Sequence, residues 1–430
     1  MAGDMRRLRQ IVSRLNASCG IQMAEICFPG HHRAGGLKLM KTIYVDNNAT
    51  TRTAPEVIDE MLPLLTEHYG NPSSAHRFGR NVGPKIAEAR EKVAALIHAS
   101  PEEIIFTSCG TESDNTAIRS AIESKPGKKH LIASQVEHPA VKNMFHHLSK
   151  KGRRVTFVPV DRKGRLDMDV LVDSLDDDTA LVSVMWANNE SGVIFPIDEI
   201  AAAVQKKGIL FHTDAVQAAG KIPMDVSASG IDMLSLSGHK IHAPKGIGAL
   251  YVRKGVPFSP LLIGGHQENG RRGGTENTAS IVGLGKACEL AALHLKKGDG
   301  SSGMGRVKHL RDRLENGLIS RIPKARINGD EKNRLPNTSS IAFDHVEGEA
   351  VILMINELGI CASSGAACMA GSLEPSHVLR AMGVPLTAAH GSIRFSLSVY
   401  NTEEEIDFII ENVPPIIVKL RKMSPFREGV

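Results

Sequence analysis

The chain lacks several features that would assign it to a membrane, secreted or nucleic-acid-binding class. It has no run of 18 apolar residues, so no transmembrane helix is expected. Its six cysteines are scattered over 430 residues and form no CxxC pair, which argues against a disulfide framework and indicates a reducing, cytoplasmic compartment. Aromatic residues make up only 4%, too few to provide stacking platforms for single-stranded nucleic acid.

The excess of positive charge is confined to the beginning of the chain. Residues 1–41 contain seven Lys and Arg residues and two acids, and subtracting these from the totals of 52 and 47 leaves 45 of each sign. The body is therefore neutral and has no nucleic-acid footprint. We interpret residues 1–40 as an N-terminal extension that is either disordered, an organelle transit segment, or the product of a start codon assigned too early, with Met40 as the true start.

From residue 80 to residue 254, strand-like and helical patterns alternate. Such alternation predicts an α/β fold with a mostly parallel sheet and helices on both faces, and ligands then bind at the carboxyl ends of the strands. A stretch rich in Gly and Ser at 296–305 predicts a linker, after which the pattern is that of a smaller α+β unit. The strand-like runs are 103–107, 130–134, 155–160, 180–185, 209–213, 233–236 and 248–252.

A lysine directly follows one of these strands. The apolar run 231–236 is followed by Ser237-Gly238-His239-Lys240. A lysine at the end of a buried strand suits a Schiff base, because a desolvated amine condenses with the aldehyde of pyridoxal 5'-phosphate (PLP). Taken alone, the same pattern also fits a surface lysine after a strand.

Other strand ends carry polar residues that suit the same cofactor. The turn 108–113 joins a strand to a helix and could bind a phosphate, although its residues also suit an ordinary helix cap. Asp214 ends a strand and could hold a pyridine nitrogen protonated, or cap the next helix. Gln217 is one helical turn further on. His138 could stack on a flat ring or serve a structural role, and the amides of 186–192 could bind a phenolic oxygen.

Taken together, these segments resemble those of the NifS-type cysteine desulfurases, PLP enzymes of fold type I, over residues 43–425. The matching segments are 46–51 (DNNATT), 70–74 (GNPSS), 111–113 (TES), 136–139 (VEHP), 187–190 (ANNE), 212–217 (HTDAVQ), 237–240 (SGHK), 272–277 (RGGTEN) and 364–368 (SGAAC).

The resemblance implies a fold, a cofactor and a set of site residues. The fold would have a large domain (50–297) on a mostly parallel seven-stranded sheet, and a smaller α+β domain (41–49 and 298–430). PLP would bind Lys240, and His138 would stack on its ring as a further catalytic residue. The other residues implied to bind the cofactor or substrate are Gly110, Thr111, Asn189, Asp214, Gln217, Ser237, Gly238, His239 and Thr275 for PLP, and Asn189 and Arg394 for the substrate carboxylate.

Cys368 is the nucleophile that the resemblance implies. Its neighbours in 363–372 are small and include glycines, so we expect a mobile, exposed loop from which a thiolate attacks the substrate sulfur and then swings outward. An incidental loop thiol is the alternative. The loop has Ser-Gly-Ala-Ala-Cys where the family often has Ser-Gly-Ser-Ala-Cys, and Ser191 replaces a commoner Thr; both changes leave the implied functional residues intact.

The resemblance also implies partners. L-cysteine would be the substrate and an iron–sulfur scaffold protein the sulfur acceptor. Thr275 would contact the phosphate of the partner subunit's cofactor, which implies a homodimer with shared sites. We expect no resident metal, no nucleic acid and no membrane partner; Cys368 would contact an iron–sulfur cluster or its precursor only during transfer.

Residues 372–382 resemble the nitrogen-fixation branch of the family, and the chain ends soon after Ser424-Pro425 as that branch does. This favours a nitrogenase-related role over general housekeeping. One alternative on the same scaffold is a selenocysteine lyase or a relative acting on cysteine sulfinate. An alternative of another class is a non-catalytic sulfur carrier or scaffold protein.

Overall fold

Residues 41–296, 302–364 and 375–423 are described by the structure, a computed structural model. Residues 42–430 form one unit by the proximity of their Cα atoms. The predicted N-terminal extension at 1–40 and the predicted nucleophile Cys368 lie outside the described residues.

The seven apolar runs of the sequence form the strands β2 (Ile104–Thr107), β3 (His130–Ser134), β4 (Arg154–Val158), β5 (Thr179–Ser183), β6 (Leu210–Asp214), β7 (Met233–Ser237) and β8 (Gly248–Val252). They make one sheet in the order β2-β8-β7-β6-β5-β3-β4. β4, β3, β5, β6 and β7 pair in parallel, whereas β8 runs antiparallel to both of its neighbours. The predicted mostly parallel sheet is therefore confirmed.

All of these strands except the edge strand β4 are buried along their whole length. Burial on both faces explains why the sequence shows continuous apolar runs here instead of alternation. The helices in this part of the chain are α1 (Pro55–Thr66), α2 (Arg77–Arg80), α3 (Gly83–Leu96), α4 (Gly110–Ser124), α5 (Pro139–Lys150), α6 (Met168–Ser174), α7 (Ile197–Gln205) and α8 (Thr278–Lys296).

A second, smaller core is built from the start and the last third of the chain. Val45, Leu314, Phe343 and Ile409 are among its fully buried side chains. The stretch predicted as a linker is shorter than expected, because residues 303–305 already belong to α9. The remaining elements are β1 (Ile43–Tyr44), α9 (Gly303–Arg321), β9 (Ala325–Ile327), β10 (Thr338–Phe343), α10 (Gly348–Asn356), β11 (Ile360–Cys361), β12 (Ser363–Ser364), α11 (His377–Ala381), α12 (Leu386–His390), β13 (Ser392–Ser396) and α13 (Glu403–Met423).

The topology brings polar strand ends together. β5, β6 and β7 are parallel neighbours, so their carboxyl ends meet at one edge of the sheet. Asp214 is the last residue of β6 and Ser237 the last of β7. Among the described helices, none is both long and apolar enough to cross a bilayer.

Candidate active site

Lys240 lies at the end of a single helical turn, Gly238–Lys240, that directly follows β7. Its Nζ donates hydrogen bonds to the backbone oxygens of Asn48, at 2.6 Å, and Ala49, at 2.7 Å. The turn requires a glycine at 238, because a Cβ there would lie 2.8 Å from Cγ2 of Ile247. The predicted lysine is thus half-buried and points towards the segment 46–51.

Asp214 presents a buried carboxylate, 5% exposed. Its Oδ1 accepts a hydrogen bond from the N–H of Val216 at 2.9 Å, and Oδ2 has no protein partner among the described residues. Burial raises the pKa of Asp214, while the nearby His138 and Lys240 act to lower it. The carboxylate is therefore suited to a positively charged ligand that would bind its Oδ2.

His138 caps the N-terminus of α5, where its Nδ1 accepts a hydrogen bond from the N–H of Ala140 at 3.2 Å. An Nδ1 that accepts leaves the proton of the neutral ring on Nε2. Burial lowers the pKa of His138, and the nearby Asp214 opposes this effect. The ring is consequently neutral near pH 7 and close to the carboxylate.

The N-terminus of α4 offers an anion site. Cys109, at the cap position, makes no side-chain cap, so the first N–H groups of this 15-residue helix are available to a ligand. A Cβ at Gly110 would lie 2.9 Å from Cγ2 of Val216 and 3.4 Å from Cβ of Ser237. Gly110 is therefore needed for the close approach of α4 to the ends of β6 and β7. Thr111 is exposed on the first turn of the helix.

His239 and Gln217 bind the segment that precedes the sheet. His239 Nδ1 is 3.1 Å from the hydroxyl of Thr50. Gln217 Nε2 donates to the backbone oxygen of Asn48 at 2.9 Å, the same oxygen that accepts from Lys240. Residues 46–51 therefore close the site from the side of the smaller core.

Arg394 lies in the middle of β13 and is 6% exposed. Its guanidinium donates to the backbone oxygen of Asn189 at 3.0 Å and to the carboxylate of Asp46 at 2.7 Å. Its Nε is buried and has no hydrogen-bond partner within the described ranges. This donor is suited to a carboxylate entering from the cleft.

The residues on either side of the Cys368 segment are held at this site. Before it, Ser363 pairs with Arg394 across β12 and β13. After it, the hydroxyl of Ser376 donates to the carboxylate of Glu190, and His377 Nε2 is 3.0 Å from the backbone oxygen of Glu137. These contacts tie the first flank to Arg394, which donates to Asn189, and the second flank to the chain neighbours of Asn189 and His138.

The structure thus brings together eleven of the thirteen predicted site residues. Thr275 is exposed on the loop that precedes α8, and Cys368 lies outside the described residues. The residues brought together are Gly110, Thr111, His138, Asn189, Asp214, Gln217, Ser237, Gly238, His239, Lys240 and Arg394.

Two residues that interact directly with predicted site residues were missed by sequence reasoning. Asn48 bonds to Lys240 and Gln217 through its backbone, and Lys221 is buried with its Nζ 2.7 Å from Gln217 Oε1. The only sequence signal for Lys221 is its spacing of four residues from Gln217, which would put the two side chains on one face of a helix. The structure forms a turn at these residues instead. Asn48 lies in the matching segment 46–51, but nothing in that segment indicates its contacts with Lys240 and Gln217.

The described residues fit pyridoxal phosphate at three points. The uncapped turn of α4 fits a phosphate, the open Oδ2 of Asp214 fits a ring cation, and Lys240 supplies an amine. Each of the three lies at the carboxyl end of the sheet, or on a turn that follows it. The set of donors therefore agrees with the cofactor that the sequence predicts.

Comparison with known proteins agrees with this geometry. Residues 43–409 match the family described as Aminotransferase class-V. A cysteine desulfurase of Trichormus azollae is 57% identical over 388 residues, covering 90% of this chain and 96% of that protein. The cysteine desulfurase NifS of Azotobacter vinelandii is 56% identical over 391 residues, covering 91% and 96%.

A solved structure titled NifS-like protein has a TM-score of 0.82 and 41% identity, and the match covers 88% of this chain and all of that one. Another, titled SspA in complex with cysteine, has a TM-score of 0.74 and 35% identity over 84% of this chain and 99% of that one. The predicted fold type is thereby confirmed. The chain belongs to the class-V aminotransferase family and, within it, to the NifS-type cysteine desulfurases.

Proposed function

We propose that this protein uses pyridoxal phosphate to remove sulfur from L-cysteine, releasing alanine and leaving the sulfur as a persulfide on Cys368. The observation that carries the proposal is the anchoring of both flanks of the Cys368 segment beside Arg394 and Glu190, in the cleft that contains Lys240. A cysteine desulfurase needs a thiol and a carboxylate-binding group at the same substrate, and the anchored flanks together with Arg394 support such an arrangement.

The chain's own groups would divide the work as follows. Arg394 would bind the substrate carboxylate, because its planar fork carries a buried, unpaired Nε. Asp214 would stabilise a proton on the pyridine nitrogen through its open Oδ2, and the turn of α4 would bind the phosphate. Lys240 would move the proton at the substrate Cα, and the neutral His138 would stack on the ring. When bound, the cofactor supplies an electron sink for the bonds at that carbon.

The sulfur step balances without an outside oxidant. The Cys368 thiolate attacks the substrate sulfur and forms a sulfur–sulfur bond, while the bond between that sulfur and Cβ breaks. The electron pair stays on Cβ, which takes up a proton and becomes the methyl group of alanine. The terminal sulfur of the persulfide is then available to an iron–sulfur scaffold protein. The transfer would take place in the cytoplasm and would support nitrogenase maturation.

We further propose that the working unit is a homodimer. Exposed apolar side chains on α1, with their exposed fractions, are Ile58 (51%), Leu62 (54%) and Leu65 (61%), and Ile263 is 90% exposed. Spacings of four and three residues place the α1 side chains on one helical face, which a second copy of the chain would cover. Thr275 would reach the phosphate of the other subunit's cofactor.

The test measures alanine and sulfide released from L-cysteine by the purified protein. Cys368→Ala should abolish both products while the PLP absorbance band persists. Cys288→Ala, which changes a thiol buried in α8, should keep the wild-type rate for each folded molecule. Full alanine production by Cys368→Ala would refute the mechanism, and faster turnover of selenocysteine or cysteine sulfinate would shift the assignment to those substrates.

A further inference from the structure

Lys221 is a buried lysine that the proposed mechanism does not use. The residue is 7% exposed, and its Nζ lies 2.7 Å from Gln217 Oε1 and 3.4 Å from Asn48 Oδ1. None of the ion pairs in the described part of the chain includes it. Burying an amine without a carboxylate costs free energy, so its position needs a reason.

The backbone directs Lys221 inward. It follows β6 on a short turn, where its N–H donates to the oxygen of Ala218 at 3.0 Å. Gly220 before it has φ of 69°, and a Cβ there would lie 2.9 Å from Cβ of Ala291 in α8. A residue other than glycine would be strained and would clash, so the turn is built to pack against α8 and point Lys221 towards Gln217.

Lys221 and Asn48 hold the Gln217 amide from its two ends. The backbone oxygen of Asn48 can only accept, so the group facing it at 2.9 Å must be the NH₂ of Gln217. The carbonyl of Gln217 then faces Lys221, which donates to it. The orientation of the amide is fixed, and one hydrogen of the NH₂ group remains for a ligand.

The same oxygen of Asn48 also accepts from Lys240 at 2.6 Å. Asn48 is itself fixed, because its Nδ2 donates to Asn189 O at 3.1 Å and to the hydroxyl of Thr338 at 2.9 Å. A chain of hydrogen bonds therefore runs from Lys221 through Gln217 and Asn48 to the proposed Schiff-base lysine. Each member has little freedom to change its partner.

We propose that Lys221 is a positioning residue, which fixes Gln217 as a hydrogen-bond donor to the ring hydroxyl of pyridoxal phosphate. The inference rests on the proposed function, since it needs PLP in the cleft. Burial, and then the charges of Lys240 and Arg394, lower the pKa of Lys221 well below its usual value. The uncharged amide of Gln217 is a suitable partner, because an amine whose charged form is disfavoured by burial still donates a hydrogen bond.

The experiment titrates the PLP-free apoprotein with PLP and measures the dissociation constant from absorbance, independently of turnover. Lys221→Met retains the length and volume of the side chain but removes the donor. We expect it to weaken PLP binding about tenfold, the equivalent of one hydrogen bond of about 1.4 kcal/mol. Lys207→Met, which changes an exposed lysine after α7, serves as the matched control and should bind like the wild type.

The double variant separates positioning from a general packing role. Gln217→Ala should also weaken binding, and Lys221→Met should add less than about twofold in that background, because residues that act through one another are not additive. The inference would be overturned if the effects of the two substitutions on the dissociation constant multiplied in the double variant. It would also be overturned if Lys221→Met had a dissociation constant for PLP within twofold of wild type. If Lys221→Met does not fold, Lys221→Gln keeps a donor and should bind nearer to wild type than Gln217→Ala; weaker binding would equally overturn it.

The two proposals fail in distinguishable ways. A wild-type protein that does not bind PLP would refute the proposed function. A wild-type protein that binds PLP, with Lys221→Met binding equally well, would refute only the role of Lys221.

Discussion

At the scale of single residues, three buried carboxyl groups near the cleft differ in which of them can carry a negative charge. Asp114, Glu137 and Asp214 are all buried near the ends of β3 and β6, and burial raises the pKa of each. Carboxylates that share a site cannot all ionise, so the group with a cationic partner keeps the charge. Asp214 has the charge of Lys240 nearby and an oxygen without a protein partner among the described residues, which make it the ionised member when a pyridinium is bound.

Glu137 gives a prediction about pH. Burial raises its pKa to about 8, although Ser134 and the N–H of Met185 donate to Oε1. The folded protein therefore holds a proton that the unfolded chain has released, and stability falls as pH rises from about 4.5 to about 8. Glu137→Gln should remove this dependence. Over the same pH range, the difference in free energy of unfolding between variant and wild type should therefore change in favour of the variant by up to about 1.4 kcal/mol per pH unit.

The measurement is urea denaturation at several pH values, with Glu102→Gln, an exposed glutamate, as the control. Parallel pH profiles for wild type and Glu137→Gln would show that Glu137 is ionised in the folded protein.

At the scale of elements, helix starts decide which backbone groups remain for ligands. α3 and α4 both begin with a glycine and neither has a side-chain cap. Their surroundings differ, since a Cβ at Gly83 would meet nothing within 4 Å, whereas one at Gly110 would meet Val216 at 2.9 Å. Only α4 is pressed against strand ends, where its free N–H groups have a use.

Gly110→Ala should accordingly weaken PLP binding and destabilise the protein by about 1–3 kcal/mol, because Val216 has to shift. Gly83→Ala is the matched control and should be neutral or slightly stabilising, since alanine favours a helix. Melting temperatures of the apoproteins and PLP titrations would check both. Equal effects at the two positions would mean that the close approach at Gly110 does not matter.

The sequence predicts these elements better than it predicts their contacts. The strand ends at Asp214 and Ser237 follow from local apolar runs, and so does the position of Lys240 one turn later. The bond from Lys221 to Asn48 joins residues 173 apart, and that from Asn48 to Thr338 spans 290. No local pattern encodes such pairs, because they depend on how the smaller core packs against the sheet.

At the scale of the whole molecule, the cleft draws on distant parts of the chain. The sheet supplies Asp214 and Lys240, the segment 46–51 supplies backbone oxygens, and β13 supplies Arg394. The exposed face of α1, together with Ile263 and the edge-to-face pair Tyr69 and Phe78, adds the surface that a second copy would cover in the proposed dimer.

Leu62→Glu should therefore convert the dimer to monomers, since it buries a charge in an apolar contact. Leu353→Glu is the matched control, because Leu353 is a similarly exposed leucine, at 68%, on α10. Sedimentation velocity distinguishes the two states. A wild-type monomer, or two variants that both stay dimeric, would contradict the assignment of α1 to the interface.

The pairing of Ser363 with Arg394 limits how far Cys368 can lie from the sheet, because it fixes the start of the segment that carries this cysteine. The last described residue before the gap, Ser364, is also paired in the sheet, with Ile393, and Cys368 comes four residues later. An extended chain spans at most about 3.6 Å per residue, so Cys368 can move no more than about 14 Å from that anchor. Under the proposed function, a sulfur acceptor would therefore have to bring its own receiving thiol or metal to the rim of the cleft, because a persulfide on Cys368 could not travel across the surface to meet it.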